Sequence, residues 1–331
     1  KYGDERRTKI LSSAKEIEIE DIIQEENVVI TLTHFGYIKR TPESIYKTQR
    51  RGGKGISALT TREEDFVEDL YITSTHDTVL FFTNKGKVYS LKAYELPEGS
   101  RQARGVAIVN LLNISGDEKI NSIIPINKNT TEKYLLIVTK KGLIKKIRLS
   151  EFENIRRNGL KAIELKEDDE LISVRKTDGN REIIIVTRKG MSIRFSEDDV
   201  REMGRNAMGV KAITLNEEDQ VVAMELVEEG KSLLVISENG FGKRTPLDEY
   251  KTQNRGGKGL ITYKIKEKTG EIVSAKVVGD EDEILMISMS GTIIRIAVKD
   301  ISVSGRATQG VTLMKMEDDK VVAVARCVEN D

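Results

Sequence analysis

Tyr46 to Gly55 reads YKTQRRGGKG: two arginines, two lysines and three glycines in ten residues, with no acid. That mixture suits an anion. Glycine lacks a Cβ, so backbone N–H groups can close on a phosphate and form a concave nest. Arginine offers a planar fork that matches phosphate oxygens, and lysine adds a mobile point charge. Thr48 and Gln49 supply neutral donors. Nothing in the stretch is suited to reading base edges, so weak sequence preference is expected. A mononucleotide loop fits less well. Its pattern needs a hydroxyl residue after the lysine and a strand–loop–helix setting, whereas Lys54 is followed by Gly55. A tight turn decorated with basic residues is the plain structural alternative.

The stretch recurs 204 residues on as YKTQNRGGKG, Tyr250 to Gly259, with Asn254 where the first copy has Arg50. The match extends backwards through Lys39-Arg40-Thr41-Pro42 and Lys243-Arg244-Thr245-Pro246. The first copy offers Lys39, Arg40, Lys47, Gln49, Arg50, Arg51, Gly52, Gly53, Lys54 and Gly55 as phosphate contacts, and the second Lys243, Arg244, Arg255 and Lys258. Similar connections elsewhere add Arg101 and Arg104, Arg156 and Arg157, Arg201 and Arg205, and Arg306, with Lys161 and Lys211 nearby.

Composition narrows the classes. The 331 residues carry 54 basic and 54 acidic side chains, so net charge alone argues against nucleic acid. Charge is nevertheless sorted along the chain. Lys39 to Gly55 holds one acid, Glu43, whereas Ile56 to Thr75 holds Glu63, Glu64, Asp65, Glu68 and Asp69 against Arg62 alone. A fold can turn that into a basic path on an otherwise acidic body. One cysteine, Cys327, excludes an internal disulfide framework and fits a reducing compartment. His34, His76 and Cys327 are too few for a tetrahedral zinc site. No apolar run is long enough for a membrane helix. No convergent histidine, cysteine or carboxylate pair recurs at one place, so no enzyme site is expected.

The elements that hold the basic stretches repeat. Apolar strands VVITLT, TVLFFT, YLLIVT, EIIIVT, SLLVIS and EILMIS follow one another at intervals of 48 to 56 residues. Each ends in a glycine turn (Gly36, Gly86, Gly142, Gly190, Gly240, Gly291) and an alternating strand. A longer connection then reaches a second glycine (Gly55, Gly105, Gly159, Gly209, Gly259, Gly310), a third strand, an acidic turn and a fourth strand. This predicts an all-β, six-bladed, propeller-like disc with four strands per repeat. Repeats span about 28–77, 78–133, 134–181, 182–231, 232–282 and 283–331, within a domain of 21–331, and the charged residues 1–20 read as a linker. WD repeats need tryptophan, which is absent, and kelch-type glycine pairs occur only inside the basic stretches. Equivalent connections lie at equivalent radii, so the basic ones should form a stripe around the rim.

QRRGGKG at Gln49–Gly55 is similar to the GyrA box that marks the C-terminal domain of the bacterial DNA gyrase A protein. The six four-stranded repeats resemble that domain's β-pinwheel, and the opening KYGDERRT resembles the end of the preceding breakage–reunion region. The resemblance implies a non-catalytic domain that wraps double-stranded DNA around its rim with positive handedness. The whole enzyme, two gyrase A chains with two gyrase B chains, would then introduce negative supercoils. It implies no cofactor in this segment, since ATP and Mg2+ serve the whole enzyme and the cleavage tyrosine lies outside it. A cytoplasmic, nucleoid-associated location follows, with no membrane partner. A topoisomerase IV C-terminal domain and a protein-interaction propeller are the alternatives.

Overall fold

The computed structural model describes residues 19–33, 35–45, 67–100, 103–127, 130–290 and 292–327. It is an all-β, six-bladed propeller. Each blade is built on an antiparallel hairpin, for example Glu182–Thr187 with Met191–Ser196. An inner strand such as Val221–Leu226 pairs on the axial side of the hairpin. A two-residue outer strand completes the sheet on the other side.

The outer strand does not come from the blade's own repeat. Val106–Ala107, Leu160–Lys161, Val210–Lys211, Leu260–Ile261 and Val311–Thr312 each cross to the hairpin of the preceding repeat. The sixth sheet has three strands among the described residues. Its inner strand, Val321–Cys327, lies beside the first blade's inner strand, Val67–Ser74, so the inner strands close a ring. The inner strands of the first five blades line a central channel of about 1160 Å³.

Both recurrent glycines are the joints of this exchange. The carbonyl of turn glycine Gly240 accepts the N–H groups of Leu313 and Met314 from the incoming strand, at 2.9 and 3.0 Å. A Cβ on Gly240 would stand 2.2 Å from the Met314 carbonyl oxygen. Gly259, which opens an outer strand, has φ +76°, and a Cβ there would stand 2.3 Å from the Ser192 carbonyl oxygen.

The first strand of each hairpin is apolar throughout because a blade follows on each side. Alternate residues serve different neighbours. Val79 and Phe81 enter the core shared with the first blade. Leu80 and Phe82 enter the core shared with the third, where Phe82 meets Phe152 edge-on at 5.8 Å. Each such buried side chain contributes about 1.5–3 kcal/mol.

The acidic turns fasten the hairpin tips. Asp219 Oδ1 accepts the N–H groups of Lys189 and Gln220, at 2.9 and 2.8 Å, while Oδ2 accepts the Thr187 hydroxyl at 2.7 Å. Asp169 and Asp319 take equivalent N–H groups from Lys141 and Ser290. The preceding residues, Asp168, Glu218 and Asp318, hold the left-handed φ that turns the chain back. These turns are therefore more than a solvated surface.

Gly259→Ala should lower stability by roughly 2 kcal/mol or more, from left-handed strain and the clash with Ser192. Gly204 has open space around it and no positive φ. Gly204→Ala should shift stability by less than about 1 kcal/mol. Thermal unfolding of the two variants checks the pair.

Candidate nucleic-acid interface

Each connection between a hairpin and its outer strand starts with a short 3-10 helix, such as Glu197–Asp199, Leu247–Glu249 or Val298–Asp300. The preceding blade holds that connection in place. Next to the second strand of the preceding hairpin, it forms an isolated parallel bridge: Arg40 with Glu98, Lys146 with Glu202, Arg194 with Thr252 and Arg244 with Val303. The basic side chains at those positions fold over to take backbone carbonyls. Arg40 Nε donates to Leu96 O at 2.9 Å, Lys146 Nζ to Glu197 O at 3.2 Å, Arg194 to Leu247 O at 2.9 Å, and Arg244 Nε to Ile301 O at 2.7 Å.

This changes the role of the Lys-Arg-Thr-Pro motif. Lys39 and Lys243 are 1% and 0% exposed, and their ammonium groups donate to Ser100 O and to Gly305 O and Arg306 O. Thr41 and Thr245 donate to Gly99 O and Ser304 O. Arg40 also pairs with Glu98, and Arg244 with Asp280. All three side chains of each motif grip the next connection. The expectation that Lys39, Arg40, Lys243 and Arg244 face phosphate is therefore corrected: carbonyl groups of a reversing loop need donors, and these residues supply them.

The second copy of the basic stretch is described in full. Tyr250 is buried beneath it, its hydroxyl 2.6 Å from Thr262 Oγ1. Arg255 turns back onto the preceding connection, donating to Asp199 O at 3.0 Å and to Lys211 O. Gly256 N–H donates to Ala212 O, and Thr214 donates to the carbonyls of Gly256 and Gly257. The Arg-Gly-Gly turn is thus a latch between neighbouring connections, and Lys258 is the exposed cation it carries.

The other sequence-predicted residues separate by environment. Arg156, Arg157 and Arg201 are exposed, and no acid among the described residues holds any of them. Arg205 is half-exposed and paired with Glu151 at 3.2 Å. Arg306 reaches Ile261 O at 3.3 Å. Arg104 lies over the Tyr37 ring at 3.6 Å, a cation–π contact. Lys47, Gln49, Arg50, Arg51, Gly52, Gly53, Lys54, Gly55 and Arg101 lie outside the described residues.

Two further exposed cations with no acidic partner among the described residues join the set, Lys211 and Lys251. Lys211 was visible only as a flanking residue. Lys251 is the counterpart of Lys47, and the repeat itself was the signal that could have found it. Hydrogen bonds link the connections into a belt: Glu164 N–H to Ala207 O at 3.3 Å, Thr214 to Gly257 at 2.8 Å, and Lys264 to Thr308 at 2.9 Å. Three consecutive belt members carry Arg156 and Arg157, then Arg201, with Lys211 on the outer strand that follows it, then Lys251 and Lys258. Such a line of solvated, unpaired charges can neutralise a polyanion. Among the described residues, no group of three or more histidine, cysteine or carboxylate side chains could hold a metal ion.

Comparison with known proteins agrees with this architecture. The DNA gyrase A protein of Clostridium acetobutylicum is 56% identical over the whole of this chain, and that of Halalkalibacterium halodurans 60%. The chain spans about 40% of the length of each of these curated relatives. The solved C-terminal domain of a DNA topoisomerase IV superposes with TM-score 0.80 at 31% identity, covering 92% of this chain and 94% of that one. A solved DNA gyrase A C-terminal domain gives 0.73 at 30%, covering 92% and 100%. The ring is common to both, while the higher identities are to gyrase A. The family profile described as DNA gyrase C-terminal domain, beta-propeller, matches 27–74, 77–127, 133–178, 181–228, 231–279 and 282–327, one segment for every blade. The chain belongs to that family.

Proposed function

We propose that this domain binds double-stranded DNA along its belt of connections and wraps it, without catalysis of its own, as the C-terminal part of a DNA gyrase A protein. One observation carries the reading: six exposed cations, unpaired among the described residues, five on three consecutive, hydrogen-bonded connections and one, Lys211, on the outer strand that follows the middle one, in a molecule with zero net charge. Diffuse attraction is absent in such a molecule, so binding is confined to the path. Backbone contact with little base readout is the expected mode.

In this reading the box Gln49–Gly55, with Lys47, Arg101, Arg104, Arg205 and Arg306, extends the path. Residues 1–20 join the ring to a breakage–reunion region. Two such chains act with two gyrase B chains in a cytoplasmic, nucleoid-associated enzyme that uses ATP and Mg2+, and the ring itself needs no cofactor. A topoisomerase IV assignment has the ring superposition in its favour, but the 56–60% identities to gyrase A outweigh it.

The combined variant Arg156→Ala, Arg157→Ala, Arg201→Ala and Lys258→Ala should bind duplex DNA more weakly. The slope of log affinity against log salt should become shallower by about 3 to 4, at roughly 0.9 per lost phosphate contact. These exposed side chains hold nothing in the fold, so the melting temperature should stay within a few degrees. An unchanged slope would remove phosphate contact from the account.

Wrapping is tested separately. With nicked circular DNA sealed in the presence of the domain, the parent should shift topoisomers toward positive linking number. Arg50→Ala, Arg51→Ala and Lys54→Ala together should abolish the shift. Retardation of DNA without any shift in the parent would mean binding without a net hand, and no retardation would favour a protein-interaction propeller.

A further inference from the structure

Three buried lysines sit beneath the belt in alternate blades, and the binding reading leaves them unused. Lys39, Lys145 and Lys243 occupy the same place on the second hairpin strand of the first, third and fifth blades. They are 1%, 0% and 0% exposed. The second and fourth blades place Tyr89 and Ile193 there. An apolar residue therefore fills the same site in a sister blade, and an ammonium is not needed for packing. Burying one is costly unless it is well satisfied.

What satisfies these ammonium groups is the backbone of the belt. Lys145 Nζ donates to Ala162 O and to Arg205 O, both at 2.7 Å. Ala162 lies just past the outer strand Leu160–Lys161, to which the connection carrying Arg156 and Arg157 leads, and Arg205 belongs to the next connection, with Arg201. One buried charge thus ties the far end of one cation-bearing connection to the next. Lys243 Nζ holds Gly305 O and Arg306 O, each at 2.5 Å, and Lys39 Nζ holds Ser100 O at 3.0 Å. No carboxylate lies within ion-pair distance of Lys145 or Lys243 among the described residues.

We infer that Lys145, with Lys243 as its counterpart two blades on, is a positioning residue for DNA binding: its ammonium fixes neighbouring connections in the spacing that lets their exposed arginines engage one duplex. The inference rests on the DNA-binding reading above.

The titration of these groups supplies a readout that packing alone would not move. Burial, and then the Arg205 charge, pull Lys145 from the ordinary 10.5 down to about 8, with Glu151 opposing. Burial does the same to Lys243, also to about 8, with Glu249 opposing and Arg306 assisting. Because the folded value lies below the unfolded one, the unfolded chain binds more protons between about pH 8 and 10.5. Through these groups stability therefore rises with pH across that window. DNA affinity should move the other way, since the positioning charge is lost.

The test uses the whole domain and a linear duplex, read by retardation at fixed salt, with melting followed in parallel. Lys145→Ile copies the residue of the sister blade and should fold. It should weaken duplex binding between roughly 3- and 30-fold, and combined with Arg201→Ala the losses should fall well short of multiplying. The parent's affinity should drop as pH rises from 7 to 9 without a fall in melting temperature, and Lys145→Ile with Lys243→Ile should flatten that profile. Unchanged affinity in Lys145→Ile, fully multiplicative losses, or a flat parent profile would each overturn the positioning role. A parent that fails to retard the duplex at all would instead overturn the DNA-binding reading.

Discussion

The joint between a turn glycine's carbonyl and the N–H groups of a strand from the following repeat is the contact on which the rest of the ring depends. It lets two backbones approach where any Cβ would collide, as at Gly240 and Gly259. Once the short strand is seated, the connection leading to it must pass over the neighbouring blade. The side chains of that blade can then grip it, and the exposed cations lie on its outer surface. In the first five blades, sheet, core and belt all follow from one exchanged pair of residues.

The periodic part of this was legible. Apolar strands, turn glycines and alternating partners recur at near-constant spacing, which fixes the number of blades and the hairpin of each. Strand exchange was not legible, because periodicity counts strands without saying which sheet each one joins. Gly209 and Gly259 marked the start of a third strand, but nothing local told that its partners belong to the preceding repeat.

The same limit governs the basic residues. Lys243 and Lys258 look alike on paper, yet one is buried on carbonyl oxygens and the other is exposed. The difference is placement: Lys243 is on a hairpin strand packed between blades, and Lys258 is on a connection that leaves it. Arg255 shows a further step. Its guanidinium lies in the connection but serves backbone carbonyls, because the glycines beside it bring the preceding connection within reach. Residues outside any strand, such as Arg156, Arg157 and Arg201, do lie at the surface, because nothing there competes for them.

Exchange also means that the repeat of the sequence and the blade of the fold are offset by one strand. A chain cut or joined at a repeat boundary, near residue 180 for example, would leave the third hairpin without Val210–Lys211 and give the next fragment a strand with no sheet to join. A repeat in this ring is consequently not a self-contained parcel. A change in blade number conserves the pairing scheme when one whole period is gained or lost, because each hairpin then takes its outer strand from whichever repeat follows it.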